Sequence, residues 1–318
     1  MMATARDGLR ALDRTADAAG MVLERDAPLA PLTTLRVGGP ADRLATADSI
    51  DDLVALRGLA DEAGVPVFLL GKGSDLVVAD AGIRGLVIRV RAGAMIVEGT
   101  TVRAEAGTSM TGLAKRCARE GLAGFDWGIS IPGSVGGAVW ANAGAHGGDM
   151  AGIVREVEVY DPRDGSRRTL AVDDCAFAYR DSRFKRSPEV VLSAMLALTA
   201  GDPAEVSAAI DAHQAQRRAT QPLADQNAGS VFRNPPGDHA GRLIEAAGLK
   251  GHRIGTAQVS TLHANFIITD RGAGGAERAR ASDVRALGEH VRAVVADRFG
   301  VELRYEIEFV GEWTEDRA

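Results

Sequence analysis

Ile131-Pro132-Gly133-Ser134-Val135-Gly136-Gly137-Ala138-Val139-Trp140-Ala141-Asn142-Ala143-Gly144-Ala145-His146-Gly147-Gly148 is the stretch on which the fold of this chain turns. It holds six glycines, which allow positive φ and let a large group approach the main chain closely. Pro132 pre-sets one φ, and Asn142 is the non-glycine residue most at ease in a left-handed turn. The other residues are mostly small and apolar, which predicts a buried loop rather than a flexible linker. Buried N–H groups still need acceptors. A phosphate-bearing cofactor supplies them, because successive amides form an anion nest. The competing reading is a tight structural loop between two strands.

A second glycine loop lies upstream, Gly71-Lys72-Gly73-Ser74-Asp75-Leu76, after the apolar run Val65–Leu70. Leu76 stands where a Rossmann fingerprint needs its third glycine, and Pro66 stands where a P-loop needs its first. Both familiar nucleotide motifs are therefore absent. Two amide-rich loops remain that could share one pyrophosphate.

Around these loops the chain reads as mixed α and β. Leu9, Leu12, Ala16 and Ala19 recur at helical spacing and predict an N-terminal helix, read as a peripheral extension. Thr33–Ala41 is expected to be a strand entering a turn. Ser49–Ala63 is expected to be a helix capped by Ser49 and closed by Gly64. Ala94–Val97 and Val102–Ala106 predict a hairpin, Met110–Glu120 an amphipathic helix, and Ile153–Tyr160 and Val190–Leu198 two strands. Pro203–Ala219 and Ser282–Phe299 read as helices, and Val301–Val310 as a strand. Without strict βαβ alternation the class is α+β. Expected boundaries are an N-terminal extension over 1–33, a two-part domain over 34–201 (34–92 and 93–201), and a C-terminal α+β domain over 202–318.

The 318 residues carry a net charge of −6, which argues against a general nucleic-acid binder but leaves room for a local basic pocket. The two cysteines, Cys117 and Cys175, form no CxxC, so neither a zinc site nor a disulfide framework is indicated. No apolar run approaches the ~18 residues of a membrane span, and the first 20 residues lack a secretory h-region. A cytoplasmic protein without membrane insertion is expected.

Taken in order, Thr34-Leu35-Arg36-Val37-Gly38-Gly39, Gly71–Leu76, Ile131–Gly147, Tyr179–Lys185, Ala228–Pro235, Gly248–Gly251 and Leu303–Gly311 resemble the motifs of the UDP-N-acetylenolpyruvoylglucosamine reductases. That resemblance runs from about Thr34 to Gly311. It implies an FAD-binding region of the vanillyl-alcohol-oxidase (PCMH) type with two subdomains. A C-terminal domain that takes the nucleotide sugar is also implied. The short segment between Arg180 and Ser230 resembles the shorter, type II form.

The implied reaction belongs to peptidoglycan precursor synthesis. NADPH reduces non-covalently bound FAD, which passes hydride to C3 of UDP-N-acetylglucosamine enolpyruvate, and a proton goes to C2. Three catalytic positions carry over: Arg180 from the Tyr-Arg-x-Ser motif, Ser230 from Gly-Ser-x-Phe, and Glu306 from the last motif. By period two Glu302, Glu306 and Glu308 share one face of the predicted strand, so spacing alone leaves the three open and only the motif selects Glu306. Arg180 has the planar fork for the substrate carboxylate. Glu306 serves the same carboxylate when it holds or shares a proton, and Ser230 is the proton donor to C2. The resemblance also implies cofactor contacts from Gly71, Lys72, Gly73, Ser74, Asp75, Pro132, Gly133, Ser134, Gly136, Gly137, Asn142 and Ala143. Arg233 and Asn234 are implied for the substrate. No metal is expected, and the chain is expected to be a monomer.

Four positions depart from the family pattern. Asp75 replaces an asparagine and, repelled by a pyrophosphate, is expected to face the ribose or a backbone amide. Ser130 replaces a glycine, Asp126 a glutamate and Arg233 a lysine. Each catalytic residue also has an ordinary alternative: a surface ion pair for Arg180 with Asp181, a turn or cap for Ser230, and a solvated strand position for Glu306. Two rival functions use the same fold, an FAD oxidase and a non-catalytic nucleotide-sugar sensor. His146 is read as a loop residue near the cofactor.

Overall fold

The computed structural model describes residues 2–270 and 279–313. The chain forms two units, each gathered from separated stretches. Unit 1 takes the residues up to Arg25, Arg43–Lys72 and Gly85–Gln216, and unit 2 takes Asp26–Asp42, Gly73–Arg84 and the chain from Arg217 onward. This grouping differs from boundaries drawn in sequence order at 34, 93 and 202, because strand pairing recruits short upstream pieces into the later unit.

Unit 1 contains an antiparallel sheet in the order Ser166–Ala171, Val154–Asp161, Val190–Ala197, Thr101–Glu105, Met95–Glu98. The expected hairpin forms, with Glu98 opposite Thr101 and only Gly99 and Thr100 in the turn. Leu113, Cys117 and Val139 of the helices Met110–Arg119 and Val135–Ala141 join Val102, Val157 and Leu196 of the sheet in one buried cluster. A second core forms around Val67–Leu70, which runs parallel to Ile83–Val90. Helix Ile50–Glu62 packs there through Leu53, Leu56 and Ala60. Its start follows the expected logic: Ser49 Oγ accepts from Asp52 N at 3.0 Å, and the Asp52 carboxylate accepts from Ser49 N at 3.0 Å. The N-terminal helix Met2–Ala18 is no peripheral extension, since Leu12 and Ala16 are fully buried and Asp13 pairs with Arg43 at 2.6 Å.

Unit 2 is built on a four-stranded sheet, Gln226–Asn227, Ile267–Thr269, Ala257–Val259 and Arg253–Ile254 in that order, all antiparallel. Helix Ala281–Phe299 buries Val284, Leu287, Val291 and Val295 in the core of this unit. The strand Glu308–Val310 runs parallel to Leu76–Val78, which joins the downstream end of the chain to the Gly73–Arg84 stretch.

Two expected strands are not regular. Thr33–Gly39 is an irregular loop with positive φ at Arg36 (58°) and Gly38 (116°), and the strand begins only at Pro40. The Thr34 N–H is taken by Gly73 O at 2.9 Å. A Cβ on Gly39 would lie 2.2 Å from Asp80 O, so the loop follows its neighbour rather than a pleat. Val301–Val310 likewise breaks: Tyr305 forms an isolated bridge to Phe232, the chain bends at Glu306–Ile307, and only Glu308–Val310 is a strand. Glu302, Glu306 and Glu308 therefore do not share the face of one continuous strand.

Candidate active site

The opening stretch is not the loop its glycines suggested. Val135–Ala141 is a helix with Ser134 at its N-cap in extended conformation. Two glycines in a short helix cost roughly 1 kcal/mol each relative to alanine. Burial of Val135, Ala138 and Val139 on one side offsets that cost. Gly136 is required by packing, since a Cβ there would stand 2.9 Å from the Ala106 Cβ. The amides of Val135 and Gly136 donate to Thr108 O and Ala106 O at 2.9 and 2.8 Å, and Gly133 O accepts from Met110 N at 3.2 Å. Those two N–H groups are thus used within the fold, and the expected anion nest is smaller than the glycine count implied. Pro132 and Gly137 are exposed beside it.

Asn142 ends this helix at φ 44° and is buried. Its side chain donates to Ala178 O at 2.8 Å and accepts from Ala151 N at 2.9 Å, while Ala143 N bonds Ala138 O and Ala143 O accepts from Met150 N. In this structure Asn142 holds the loop that leads to Arg180. Gly144–Ala145 and Gly148–Asp149 then pair as a hairpin, with His146 (φ 52°) and Gly147 (φ 84°) at its tip, the two positive φ values of a type I′ turn. His146 Nε2 lies 2.9 Å from Ser130 Oγ, and its ring stacks on His213 at 3.8 Å. His213 in turn meets Asp126 at 2.8 Å. The departures Ser130 and Asp126 thereby acquire partners within the fold.

Arg180 sits in a tight turn closed by Ala178 and Asp181, which exchange bonds of 2.9 and 3.1 Å. Its φ of 55° is a conformation that costs a non-glycine residue roughly 1–2 kcal/mol. The guanidinium donates to Gly144 O at 2.9 Å and lies 5.1 Å from the centre of the Tyr179 ring. Asp181 makes an ion pair with Arg186 at 2.7 Å. Ser182, fully buried, donates to Trp140 O at 2.7 Å and ties this turn to the helix before Asn142.

In unit 2 the segment carrying Ser230 lies antiparallel to the segment carrying Glu306. Phe232 bridges Tyr305, Glu306 N donates to Val231 O at 2.9 Å, and Arg233 N donates to Arg304 O at 2.9 Å. Glu306 thus donates to Val231, the residue that follows Ser230. Gly229, at φ 76°, turns the chain into this segment, and its N–H is held by Asn227 Oδ1 at 2.9 Å. Asp75 O accepts from Glu308 N at 3.0 Å, which brings Gly73, Ser74 and Asp75 to the same strand pair. Arg233 Nε donates to Tyr305 O at 3.2 Å. Asn234 Oδ1 accepts from Ala240 N at 3.1 Å and so serves as a cap for helix Ala240–Ala246. Both residues implied for the substrate have internal duties here. Asn227 and Asn265, which bond to the Ser230 segment, went unnoticed in the sequence. Asn265 has no spacing signal, since an amide that pairs with a distant backbone leaves no local period, whereas Asn227 makes a local contact with the residue two positions on.

The unit 1 residues fit the pyrophosphate of an FAD. Gly71 approaches Ser134 so closely that a Cβ would meet its Oγ at 2.6 Å, so the two glycine loops do converge. Ser134 makes no side-chain bond to its own helix, and Lys72 is exposed. Lys72, Ser134 and the amides around Gly71 and Gly137 would be the donors to such a group. Among the described residues no group of three or more His, Cys, Asp or Glu could hold a metal ion, and no helix is long and apolar enough to cross a membrane.

Comparison with known proteins gives one consistent answer. Residues 221–310 match the family described as UDP-N-acetylenolpyruvoylglucosamine reductase, C-terminal domain, and residues 41–171 match the FAD binding domain. UDP-N-acetylenolpyruvoylglucosamine reductase 2 of Symbiobacterium thermophilum is 46% identical over 291 residues, covering 91% of this chain and 92% of that protein. The reductase of Alkalilimnicola ehrlichii is 47% identical over 288 residues, 90% of this chain and 93% of its own. The crystal structure of UDP-N-acetylenolpyruvylglucosamine reductase (MurB) from Thermus caldophilus superposes with a TM-score of 0.77 at 34% identity, covering 91% of this chain and 99% of that one.

Proposed function

This chain belongs to the UDP-N-acetylenolpyruvoylglucosamine reductase family, and from that premise we propose that it reduces UDP-N-acetylglucosamine enolpyruvate to UDP-N-acetylmuramate with NADPH as co-substrate. It is a flavin-dependent oxidoreductase with an FAD-binding domain. FAD, when bound, supplies the hydride that the enolpyruvyl C3 receives, having been reduced by the nicotinamide.

The chain's own residues deal with charge and protons. Addition at C3 drives negative charge onto C2 and its carboxylate. Arg180 is proposed to pair with that carboxylate, since a guanidinium offers two parallel donors in a fixed plane. Glu306 is proposed to share a proton with it. Ser230 is proposed to give the proton to C2. A hydroxyl is a weak acid and works only because the carbanion-like centre is strongly basic. A placed donor of this kind is worth about 10²–10⁴-fold. Lys72 and Ser134 are proposed to hold the pyrophosphate of the flavin, with Gly71, Gly73, Ser74, Asp75, Pro132, Gly133, Gly136, Gly137, Asn142 and Ala143 shaping its surroundings. Arg233 and Asn234 are proposed to lie near the nucleotide sugar.

The observation that supports this reading is the pairing in unit 2, where Glu306 N donates to the carbonyl of Val231, the residue after Ser230. The test is an anaerobic visible spectrum. NADPH should bleach the yellow protein, and the enolpyruvyl sugar should restore its colour. Ser230→Ala should bleach at the normal rate and recover about 10²–10⁴-fold more slowly. Recovery only on admitting oxygen would favour an oxidase, and protein that takes up no FAD would defeat the reading.

A further inference from the structure

The Ser230 segment has a second neighbour besides the Glu306 strand. Asn265 is 4% exposed. Its main-chain carbonyl accepts from Val231 N at 2.8 Å. Its side-chain Oδ1 accepts from Phe232 N at 3.0 Å, and its Nδ2 donates to Phe232 O at 2.8 Å. One residue thereby takes three main-chain groups of the segment that follows Ser230. The amide is the right chemistry for this place. It presents an acceptor and a donor side by side, as a peptide does, so it pairs with both polar groups of Phe232 as a strand would. Asparagine supplies that pairing where Asn265 precedes the strand Ile267–Thr269 and no ladder yet exists. On the other side of Ser230, the Gly229 N–H is held by Asn227 Oδ1. Asn265 thus fixes the peptide that follows Ser230, and Asn227 fixes the Ala228–Gly229 peptide upstream of it.

We propose that Asn265 is a positioning residue for Ser230. By pairing its side-chain amide with Phe232 and its carbonyl with Val231, it fixes the peptide that carries the Ser230 carbonyl, and with it the direction of the hydroxyl. This rests on the reading of Ser230 as the proton donor. The role is separable from the flavin chemistry, because both groups that the Asn265 side chain takes belong to Phe232 of the Ser230 segment. Loosening the clamp misplaces a proton donor without touching the delivery of hydride to FAD. A displacement of about 1 Å in such a group costs up to about 10²-fold.

The experiment is anaerobic stopped-flow on the FAD-loaded enzyme. It compares wild type, Asn265→Ala, Asn265→Asp, Ser230→Ala and the Ser230→Ala/Asn265→Ala double variant. Flavin reduction by NADPH should keep its wild-type rate in all of them. Reoxidation by the enolpyruvyl sugar should slow roughly 10- to 100-fold in Asn265→Ala, with a larger solvent deuterium isotope effect than wild type. In the Ser230→Ala background the same change should add almost nothing, because a donor that is absent cannot be misplaced. Asn265→Asp keeps the acceptor for Phe232 N and should fall between. Wild-type reoxidation in both Asn265 variants, slowed flavin reduction, equal losses in the two backgrounds, or failure of both variants to fold would each overturn the proposal. A Ser230→Ala enzyme that reoxidises normally would instead overturn the reading of Ser230 on which it rests.

Discussion

Arg180 is held in a strained backbone conformation, and the strain is explained by what the turn achieves. With φ at 55°, the side chain donates to Gly144 O, and the neighbouring Asp181 is engaged by Arg186. A residue kept at such a cost is a candidate for function. Arg180→Lys keeps the charge but loses the fork, and Arg180→Ala loses both. We expect flavin reoxidation by the enolpyruvyl sugar to fall about 10²–10³-fold in the alanine variant and less in the lysine variant, with reduction by NADPH unchanged in anaerobic stopped-flow. The cysteines give a different residue-scale prediction. Burial pushes the Cys117 thiol up to about 12 and that of Cys175 to about 11. The folded chain therefore keeps protons that the unfolded chain releases near pH 9. Stability from this source is complete below pH 9 and is lost as the pH rises toward 12, with a slope of about 1.4 kcal/mol per pH unit for each thiol. Urea midpoints measured from pH 8 to 10.5 should fall accordingly, and Cys117→Ala should flatten the fall.

At the scale of elements, what was legible depended on where the partners lie. The helix at Ile50–Glu62 could be read because its cap, Ser49, and the reciprocal Asp52 are three residues apart. Helix Ala281–Phe299 has Arg280 at its N-cap, where the side chain makes no capping bond. Its first amides are taken by Asp80, which accepts from Ala281 N at 2.8 Å and from Ser282 N at 2.9 Å. No window of sequence contains both halves of that cap. Asp80→Ala should lower the stability of unit 2 by about 1–2 kcal/mol, read as a lower urea midpoint, and Asp80→Asn, which keeps one acceptor, should lose less. The misread helix Val135–Ala141 has the same origin. Its two glycines argue against a helix on local propensity, and only the contact of Gly136 with Ala106 shows why small residues are needed there.

For the whole molecule, the decisive fact is that unit 2 is not a continuous piece of chain. Glu308–Val310 pairs with Leu76–Val78, and Leu35, Val37 and Val77 lie in the same core as Leu243, Val284 and Ile307. A fragment of residues 202–318 lacks those upstream partners, so it should show no near-UV circular dichroism and should be digested rapidly by trypsin while the full chain resists. The sequence by itself determined the α+β class, most helices, the hairpins, the two glycine loops and the ordered motifs that point to a flavin reductase. Each of these depends on residues close together in the chain or on a spacing that a helix or strand imposes. It also singled out Ser230 and Glu306, but through a motif, since the period-two pattern had offered three glutamates. The tertiary structure decided that Glu306 donates to Val231 beside Ser230, that Asn265 clamps Val231 and Phe232, and that the N-terminal helix belongs to a core. Those features are contacts between residues tens to hundreds of positions apart. Local propensity carries no term for them, and only packing and the need to pair every buried amide select them.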